Sequence, residues 1–309
     1  MKKLLFVFNP HSGKAQIKNK LSSIVQIFCE AEYELTIYST RASKDGYQYI
    51  LNNGDKYDMI VCSGGDGTLN ETVGAVMKFD KRIPIGYIPS GSTNDFATTL
   101  HIPKNMIKAA AAITDGIKFS CDIGLMNGER NFNYIAAFGA FTKVSYETSQ
   151  QLKNMLGHQA YIIEGVKSLT SLKPQYVKVK SDDIIIEGNF IYGMVSNTES
   201  VAGVKGITGF GIDLQDGLFE VLLVRELKGP LDIQRLINTI ITQKYEEDGL
   251  VCYFKAKHIE FESGIDISWT LDGEFGGDYK SAYFDVIEGA VDFIVPNQDT
   301  AEGKAKSKE

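Results

Sequence analysis

Long apolar runs are missing from this sequence: none approaches the roughly 20 residues that a membrane-spanning helix needs. The first residues, "MKKLLFVFNP", contain only a short apolar run and no small-residue cleavage site, so a first β-strand is favoured over a signal peptide. The 4 cysteines lie far apart and form no CxxC pair. We therefore expect reduced thiols in a cytoplasmic protein.

An excess of positive charge is missing as well. The 309 residues carry 32 Lys and Arg against 39 Asp and Glu, and the net charge of −7 disfavours binding to nucleic acid or general adhesion to anionic membranes. The 4 histidines are scattered, without the HxxxH or HExxH spacing of a zinc site. No GxSxG turn of a serine hydrolase occurs.

The first 120 residues or so alternate between short apolar runs and stretches with helical spacing. The predicted strands are 4–8, 34–38, 59–62 and 83–88, and the predicted helices are 15–32, 45–52, 69–77 and 93–100. This alternation predicts a parallel sheet with helices on both faces, which binds ligands beyond the carboxyl ends of its strands. Polar loops follow the four strands, so we expect them to meet at one edge: "NPHSGK", "STRAS", "SGGDGT" and "IPSGSTNDF".

Strands with turn signals dominate the rest of the chain, which predicts an antiparallel β-sandwich. The predicted strands are 119–126, 132–137, 176–180, 184–186, 190–195, 219–224, 251–261, 265–271 and 281–286, and the predicted helices are about 144–156, 160–171 and 231–243. We expect three parts: an α/β domain at 1–122, a β-sandwich domain at 123–296, and a polar, disordered tail at 297–309.

A glycine-rich turn, "SGGDGT", separates the third predicted strand from its helix. Gly64, Gly65 and Gly67 permit close approach of the backbone, Thr68 is a candidate cap, and the N–H groups of a helix start form an anion site. The spacing is not that of Walker A, and a GxGxxG motif that starts at Gly65 fails at Asn70.

An acid, Asp66, stands in the middle of this anion-binding turn. A carboxylate is useful there when it holds a magnesium ion that bridges phosphate oxygens, or when it takes a proton from an attacking hydroxyl. The alternative is a tight strand-to-helix turn with a solvated aspartate.

The string "GGDGTLNE", with "NPHSG" upstream and "PSGSTNDFA" downstream, resembles the soluble bacterial diacylglycerol kinase and lipid kinase family, which includes sphingosine and ceramide kinases. The resemblance covers residues 1 to about 296, and GGDGT alone is shared with NAD kinases. It implies an ATP cleft between a Rossmann-like N-terminal domain and a C-terminal β-sandwich. The nucleotide-binding residues that it implies are Asn9, Pro10, His11, Ser12, Gly13, Thr40, Gly65, Asp66, Gly67, Thr68, Leu69, Asn70, Glu71 and Ser92, where Ser92 replaces a common Thr and keeps the hydroxyl.

A second acid follows the fourth predicted strand, in "GSTNDF". Asn94 and Asp95 can simply cap the helix that begins there, or Asp95 can face the ligand as well. The resemblance implies that Asp95 lies beside Asp66, and so Asp95 joins the candidate catalytic residues.

Two more acids, Asp272 and Glu274, occur in "SWTLDGEFGG". Read alone, Asp-Gly is a strong hairpin-turn signal. The resemblance implies that this turn reaches the ATP cleft and that Glu274 is the base for the acceptor hydroxyl, so Glu274 and Asp272 complete the candidate catalytic set.

A possible cation site lies in "TGFGIDLQDGLFEV". Two carboxylates three residues apart with a backbone carbonyl suit a hard cation, and the resemblance implies a magnesium site at Asp213, Asp216 and the carbonyl of Leu218. The alternative is a polar, metal-free turn. Four lysines, at positions 167, 173, 178 and 180, have two alternative interpretations: a solvated face or a membrane-facing patch.

The sequence thus predicts an ATP- and magnesium-dependent lipid kinase, with diacylglycerol as the first choice of acceptor and phosphatidic acid as the product. Its partners would be ATP and a lipid drawn from a membrane surface, with no nucleic acid, and its location cytoplasmic or peripheral at the membrane. The alternatives are a kinase of another lipid, an NAD kinase, or a catalytically silent nucleotide-binding regulator. The sequence leaves the oligomeric state open, a homodimer included.

Overall fold

The computed structural model describes residues 1–139, 172–182, 184–198, 200–201, 204–205, 212–245 and 249–297. Its fold is a mixed α/β fold rich in β-sheet. Contacts divide the chain into a first unit, Met1–Cys121 with the chain from Gly289 onward, and a second unit, Asp122–Glu288. The sequence assigned residues 289–296 to the second domain, whereas these contacts assign them to the first unit. Among the described helices, none has the length and apolar character to cross a membrane.

The first unit is built from parallel strands and helices in alternation. Its strands are β1 (Lys2–Phe8), β2 (Tyr33–Ser39), β3 (Met59–Gly64) and β4 (Ile85–Pro89), and its helices are α1 (Ile17–Glu30), α2 (Asp45–Asn53), α3 (Asp66–Val76), α4 (Asp95–Thr99) and α5 (Met106–Asp115). The strand order is β2-β1-β3-β4, and every neighbouring pair is parallel. Parallel pairing agrees with the prediction from the alternating pattern.

The last strand of the chain completes this sheet, because Phe293 pairs in parallel with Ile85 of β4. The core is apolar on the sheet and on the helices: Phe6 of β1 lies edge-on to Phe28 of α1, with ring centroids 6.0 Å apart, and both rings are fully buried. Burying one such side chain stabilises the fold by about 1.5–3 kcal/mol. The continuous apolar runs of the central strands follow from burial on both faces.

Among the helices of the first unit, α3 and α5 depart most from the predictions, whereas α1 and α4 each begin two residues after the predicted start. Helix α3 begins at Asp66 rather than at residue 69, so Thr68 lies inside its first turn and does not cap it. Helix α5 was not predicted, although Asn105 gives a recognisable cap signal: its side chain accepts hydrogen bonds from the N–H groups of Ile107 and Lys108.

Antiparallel strands form most of the second unit. The remaining described strands are β5 (Ile117–Met126), β6 (Arg130–Phe132), β7 (Ile135–Phe138), β8 (Gln175–Ser181), β9 (Ile184–Ser196), β10 (Ser200–Val201), β11 (Val204–Lys205), β12 (Phe219–Arg225), β13 (Val251–Ala256), β14 (His258–Leu271) and β15 (Glu274–Val295), and the described part of this unit also contains the helix α6 (Pro230–Thr242). The order β13-β12-β9-β7-β14-β15 is antiparallel throughout, and β8 bridges β9 and β14.

The strand bounds differ from the predictions in several places, and the predicted strand 132–137 is divided into β6 and β7. Strand β9 joins the predicted strands 184–186 and 190–195, and β14 joins the end of 251–261 to 265–271. The predicted strand 281–286 is the middle of the longer β15. The helices predicted at 144–156 and 160–171 lie outside the described residues.

An aromatic cluster forms the centre of the second unit. The ring of Trp269 lies 5.1 Å from Phe138, 5.0 Å from Phe261 and 4.7 Å from Phe284, in edge-on or tilted geometry, and all four side chains are buried. Aromatic pairs of this kind contribute about 0.5–1.5 kcal/mol beyond area burial. Because Trp269 and Phe284 belong to β14 and β15, the cluster anchors the hairpin that these two strands form.

Candidate functional site

The polar loops of the first unit lie together at the carboxyl ends of the parallel strands. Asn9 N–H donates to Ser63 O at 2.9 Å, which joins the loop after β1 to the end of β3. Ser90 N–H and Gly91 N–H donate to Gly64 O at 2.8 and 3.2 Å, which joins the loops after β3 and β4. Parallel strands end at one edge, so this contact follows from the strand order.

Glycines allow these loops to approach each other so closely. A Cβ at Gly91 would lie 2.5 Å from the Cα of Gly65, closer than real Cβ atoms come to a backbone atom. A Cβ at Gly64 would lie 2.2 Å from the Cβ of Thr68 in the first turn of α3. Only glycine therefore fits at residues 64 and 91, and the two backbones form one continuous surface.

Helix α3 points its N-terminus at this surface. Gly65 is the N-cap, Leu69 N–H donates to Gly65 O at 3.1 Å, and the first turn consists of Asp66, Gly67 and Thr68. The backbone N–H groups of a first turn have no partners within the helix, and the helix dipole adds positive potential there. This end of α3 is chemically suited to phosphate.

The charges of Asp66 and Asp95 both act on the buried Tyr87. Burial raises the pKa of the Tyr87 hydroxyl well above its usual range, and the charges of Asp66 and Asp95 raise it further. The oxygen of that hydroxyl lies 3.2 Å from both Gly64 O and Asn94 Oδ1, and either of them can accept its one proton. Asp95 is buried at the first position of α4, with 1% of its surface exposed. Tyr87 is thus a buried residue that feels the charge of both candidate acids, and sequence reasoning missed it.

Asn94 does not cap α4 with its side chain. Its backbone is left-handed, with φ of 55°, and its side chain binds Gly91 instead, accepting from Gly91 N at 3.0 Å and donating to Gly91 O at 2.9 Å. The capping alternative therefore fails for Asn94, and the side chain closes the loop between β4 and α4. Ser92, at the tip of this loop, is exposed.

The loop after β1 is a compact turn closed by its first residue. Asn9 Oδ1 accepts from His11 N at 2.9 Å, and Ser12 N–H donates to Asn9 O at 3.3 Å. Such side-chain-to-backbone bonds are typical of an Asx-turn. The turn exposes His11, leaves Pro10 half-buried, and brings the backbone of Gly13 against Ser90.

Glu71 connects α3 to the loop after β2. Its Oε1 accepts from Lys44 N at 2.6 Å and from Ser43 Oγ at 3.3 Å. Thr40, at the start of the same loop, is buried and donates its N–H to Phe8 O at 2.9 Å. The sequence proposed Glu71 as a nucleotide ligand, whereas its side chain is occupied in holding residues 43–44.

In the second unit, Asp272 is bound by backbone N–H groups. Its Oδ2 accepts from Asn133 N at 2.6 Å, and its Oδ1 accepts from Tyr134 N at 3.0 Å and Ile135 N at 3.1 Å. The residue is 7% exposed, and its own N–H donates to Ile135 O at 2.8 Å. Three backbone N–H groups thus hold the Asp272 carboxylate in one orientation.

Glu274 is the first residue of β15 and pairs with Leu271 across a two-residue turn. Asp272 and Gly273 have φ of 49° and 84°, as a tight hairpin turn of the Asp-Gly type requires, so the predicted hairpin is confirmed. Glu274 is exposed, unlike Asp272. Of the two acids in this turn, Glu274 is therefore the one that a ligand can reach.

The proposed cation loop contains a lysine where an ion was expected. Lys255 Nζ lies 2.9 Å from Asp216 Oδ2 and 3.1 Å from Glu220 Oε1. Asp216 Oδ1 accepts from Leu218 N and Asp213 Oδ1 accepts from Gln215 N, both at 3.0 Å. Within the described residues no three acidic, His or Cys side chains are arranged as metal ligands. The residues present do not fit a metal as they stand, because an ammonium group already neutralises Asp216.

Two buried acids support this loop. Glu220 is fully buried, and burial raises its pKa to about 7, although the hydrogen bond and charge of Lys255 act in the opposite direction. Gly217 N donates to Oδ2 of Asp122 at 2.7 Å, and Asp122 is also fully buried. Neither acid was singled out from the sequence.

Two lysines of the predicted basic patch, Lys178 and Lys180, face acids. Lys180 Nζ lies 2.7 Å from Glu262 and 3.6 Å from Glu260, and Lys178 pairs in register with Glu187 and Glu262. Alternating charge across neighbouring strands is typical of a solvated sheet face. This arrangement favours the solvated face over a membrane-facing patch; Lys167 lies outside the described residues.

Comparison with known proteins agrees with this combination of loops and acids. The family model for the diacylglycerol kinase catalytic domain matches residues 3–126. A diacylglycerol kinase of Bacillus subtilis (strain 168) is 32% identical over 279 residues, which cover 90% of this chain and 91% of that protein. A diacylglycerol kinase of Staphylococcus aureus (strain MRSA252) is 32% identical over 297 residues, which cover 96% and 93%.

A crystal structure of a diacylglycerol kinase from Bacillus anthracis str. Sterne is also similar. Its TM-score is 0.80 at 25% identity, with 97% of this chain and 98% of that chain covered. The chain therefore belongs to the diacylglycerol kinase family, as the three motifs predicted. The matched region at 3–126 contains the four loops, Asp66 and Asp95, whereas Glu274 lies outside it.

Proposed function

We propose that the protein is a lipid kinase that transfers the γ-phosphoryl group of magnesium-bound ATP to the hydroxyl of diacylglycerol and forms phosphatidic acid. The observation that carries this proposal is the N-terminus of α3, where close-packed glycine loops meet and where Asp66 begins the helix. Membership of the diacylglycerol kinase family supports the choice of reaction and acceptor.

The parallel sheet of the first unit acts as a Rossmann-like nucleotide-binding domain in this proposal, and the antiparallel strands of the second unit act as its β-sandwich partner. The α3 N-terminus binds phosphate through backbone N–H groups, and the turn of residues 9–13 and Thr40 bind the rest of the nucleotide. Asp66 holds the magnesium that accompanies ATP, and Asp95 adds a second negative charge to the same site.

Glu274 takes the proton of the acceptor hydroxyl in the proposed reaction. The hydroxyl oxygen attacks the γ-phosphorus, the bond from phosphorus to the β–γ bridging oxygen breaks, and ADP leaves with that oxygen. Asp272 supports the reaction by fixing the turn, since its three N–H bonds favour holding over proton transfer. Because the acceptor resides in a bilayer, we propose that the protein works at a membrane surface.

Radiolabelled ATP with mixed micelles tests this proposal. Separate reactions contain diacylglycerol, monoacylglycerol, sphingosine, ceramide or NAD as acceptor, each with magnesium and with EDTA. We expect label in phosphatidic acid, lost in EDTA and restored by excess magnesium. Label in a sphingoid product would mean that the acceptor is a sphingoid lipid and not diacylglycerol. Label in NADP would identify the protein as an NAD kinase. No transfer to any acceptor would favour a catalytically silent regulator.

A further inference from the structure

The hairpin between β14 and β15 is irregular close to its turn. Trp269 pairs with Gly277 and Thr270 pairs with Phe275, so Gly276 is an extra residue in β15. An extra residue of this kind is a β-bulge, which interrupts the ladder of backbone hydrogen bonds and bends the strand. A Cβ at Gly276 would lie 3.0 Å from the carbonyl oxygen of Trp269, so the bulge also brings two backbones close together.

Arg130 supplies hydrogen-bond donors at this bulge. Its Nη2 donates to the carbonyl oxygen of Phe275 at 3.0 Å, and its Nη1 donates to the carbonyl oxygen of Gly276. A guanidinium presents its donors in a rigid plane, so two bonds to successive carbonyls fix the orientation of both peptide groups. Arg130 belongs to β6, far from the hairpin in sequence, and thus connects two separate elements of the second unit.

Glu274 lies between two sets of hydrogen bonds that hold the hairpin backbone. On one side, Asp272 binds the backbone N–H groups of residues 133–135. On the other side, Arg130 binds the carbonyl oxygens of Phe275 and Gly276, the two residues that follow Glu274. Since the Glu274 side chain is exposed at the end of a strand, the backbone that carries it sets the place of its carboxylate.

We infer that Arg130 is a positioning residue for phosphoryl transfer: by binding the carbonyls of Phe275 and Gly276 it sets the place of the Glu274 carboxylate. The inference rests on the proposed role of Glu274 as the base. Small displacements of a catalytic group are costly, because a shift of about 1 Å can lower a rate about 100-fold.

Kinetics of three variants test the inference. Arg130→Met keeps the aliphatic stem and removes the donors, so kcat should fall about 10- to 100-fold while KM for ATP stays unchanged. Arg130→Lys keeps one charged donor and should recover part of kcat. Arg225→Met is the matched control, because Arg225 also donates to a backbone carbonyl, that of Glu187, and packs on Phe190. It should keep wild-type kcat.

Combining Arg130→Met with Glu274→Gln separates this inference from the proposed function. If Arg130 acts through Glu274, the double variant should lose no more activity than Glu274→Gln alone. Hydrogen exchange of the peptide that covers residues 272–278 should be faster in Arg130→Met, with exchange in β8 unchanged. That exchange readout does not depend on activity.

Four results would overturn the inference. One is that Arg130→Met keeps wild-type kcat while Glu274→Gln is impaired. The proposed function then stands, and the positioning role of Arg130 is rejected. A further loss in the double variant, or unchanged exchange at 272–278, means that Arg130 does not act by holding Glu274. Wild-type kcat in Glu274→Gln rejects the proposed base, and the inference about Arg130 falls with it.

Discussion

The carbonyl oxygen of Ser90 occupies the space that a side chain at Gly13 would need: a Cβ there would lie 2.3 Å from it. Gly13 also has a positive φ of 54°. The turn after β1 therefore lies directly against the end of β4, and the contact depends on the missing side chain. The proposed nucleotide site is shaped by this contact as much as by the residues that would touch ATP.

Gly13→Ala should consequently impair ATP use. The new Cβ must push the turn of residues 9–13 away from Ser90, and we expect kcat/KM for ATP to fall about 10-fold or more, because the contact geometry of the phosphates shifts. Steady-state kinetics at varied ATP concentration measure this effect.

Gly289→Ala is the matched control for that variant. Gly289 lies in the same unit and has nearly the same φ, 52°, but its nearest non-neighbouring atoms would be 3.8 Å from a Cβ, which is ordinary contact. Both variants carry the cost of a left-handed alanine, about 1–2 kcal/mol. Only Gly13→Ala should change ATP kinetics; equal kinetics in the two variants would contradict the steric argument.

Glu71→Ala should loosen the loop after β2. Lys44 N and Ser43 Oγ lose their common acceptor, and one charged hydrogen bond contributes about 1.5–3 kcal/mol. We expect KM for ATP to rise about 10-fold, because part of the binding free energy of ATP must then be used to order the loop. Calorimetric titration with a non-hydrolysable ATP analogue measures the same loss without catalysis.

Glu71→Gln is the informative companion, because its amide oxygen can still accept from Lys44 N. Recovery of most of the affinity would assign the role to the hydrogen bond, whereas no recovery would mean that the charge itself acts on the nucleotide. Glu30→Ala, which removes an exposed acceptor for Gln26 on α1, should leave ATP affinity unchanged.

Lys255→Met should destabilise the second unit. Glu220 is fully buried and loses its nearest cation, and breaking a buried ion pair costs about 3 kcal/mol at the lower end of the measured range. Lys257→Met is the control two residues further on, where the exposed pair with Glu288 at 3.5 Å should contribute less than about 1 kcal/mol. Urea unfolding measures both values.

The wild-type protein itself tests the cation loop. If Lys255 is the cation beside Asp216, EDTA should leave the melting temperature of the wild-type protein unchanged, and metal analysis of the nucleotide-free protein should find no bound divalent ion. A stoichiometric ion, or a lower melting temperature in EDTA, would restore the site predicted at Asp213, Asp216 and Leu218.

Sequence patterns predicted the first unit well because its signals are local. Alternating apolar runs and polar loops define parallel strands, and the strand ends then bring the loop after β1 to those after β3 and β4. The missed helix α5 also had a local signal, the cap residue Asn105 before an alanine-rich run. Its omission was therefore avoidable.

Long-range partners account for most of what the sequence could not give. The binding of Asp272 to residues 133–135, of Arg130 to the hairpin bulge, and of Lys255 to Asp216 all join residues far apart in the chain. No periodicity or spacing encodes such pairs. The partners of Asp272 and Glu71 were missed for the same reason, since a motif shows which acid is present and not which groups already bind it.

Glu274→Gln gives the sharpest test of the proposed chemistry. The change keeps the size of the side chain and removes its charge, and a positioned base contributes roughly 10²–10⁴ in rate. We expect kcat to fall within that range while ATP binding persists, as measured with saturating diacylglycerol micelles. Glu187→Gln, an exposed glutamate of β9 in the same unit, should keep wild-type kcat.

Asp66→Asn should lower kcat at least as much as Glu274→Gln does, because Asp66 is proposed to hold the magnesium of ATP at the start of α3. The double variant should lose far less than the product of the two single losses, since groups that act as a unit are not additive. Wild-type kcat in Glu274→Gln combined with a large loss in Asp66→Asn would assign the proton transfer to Asp66. Fully multiplicative losses would instead mean that the two acids act in independent steps.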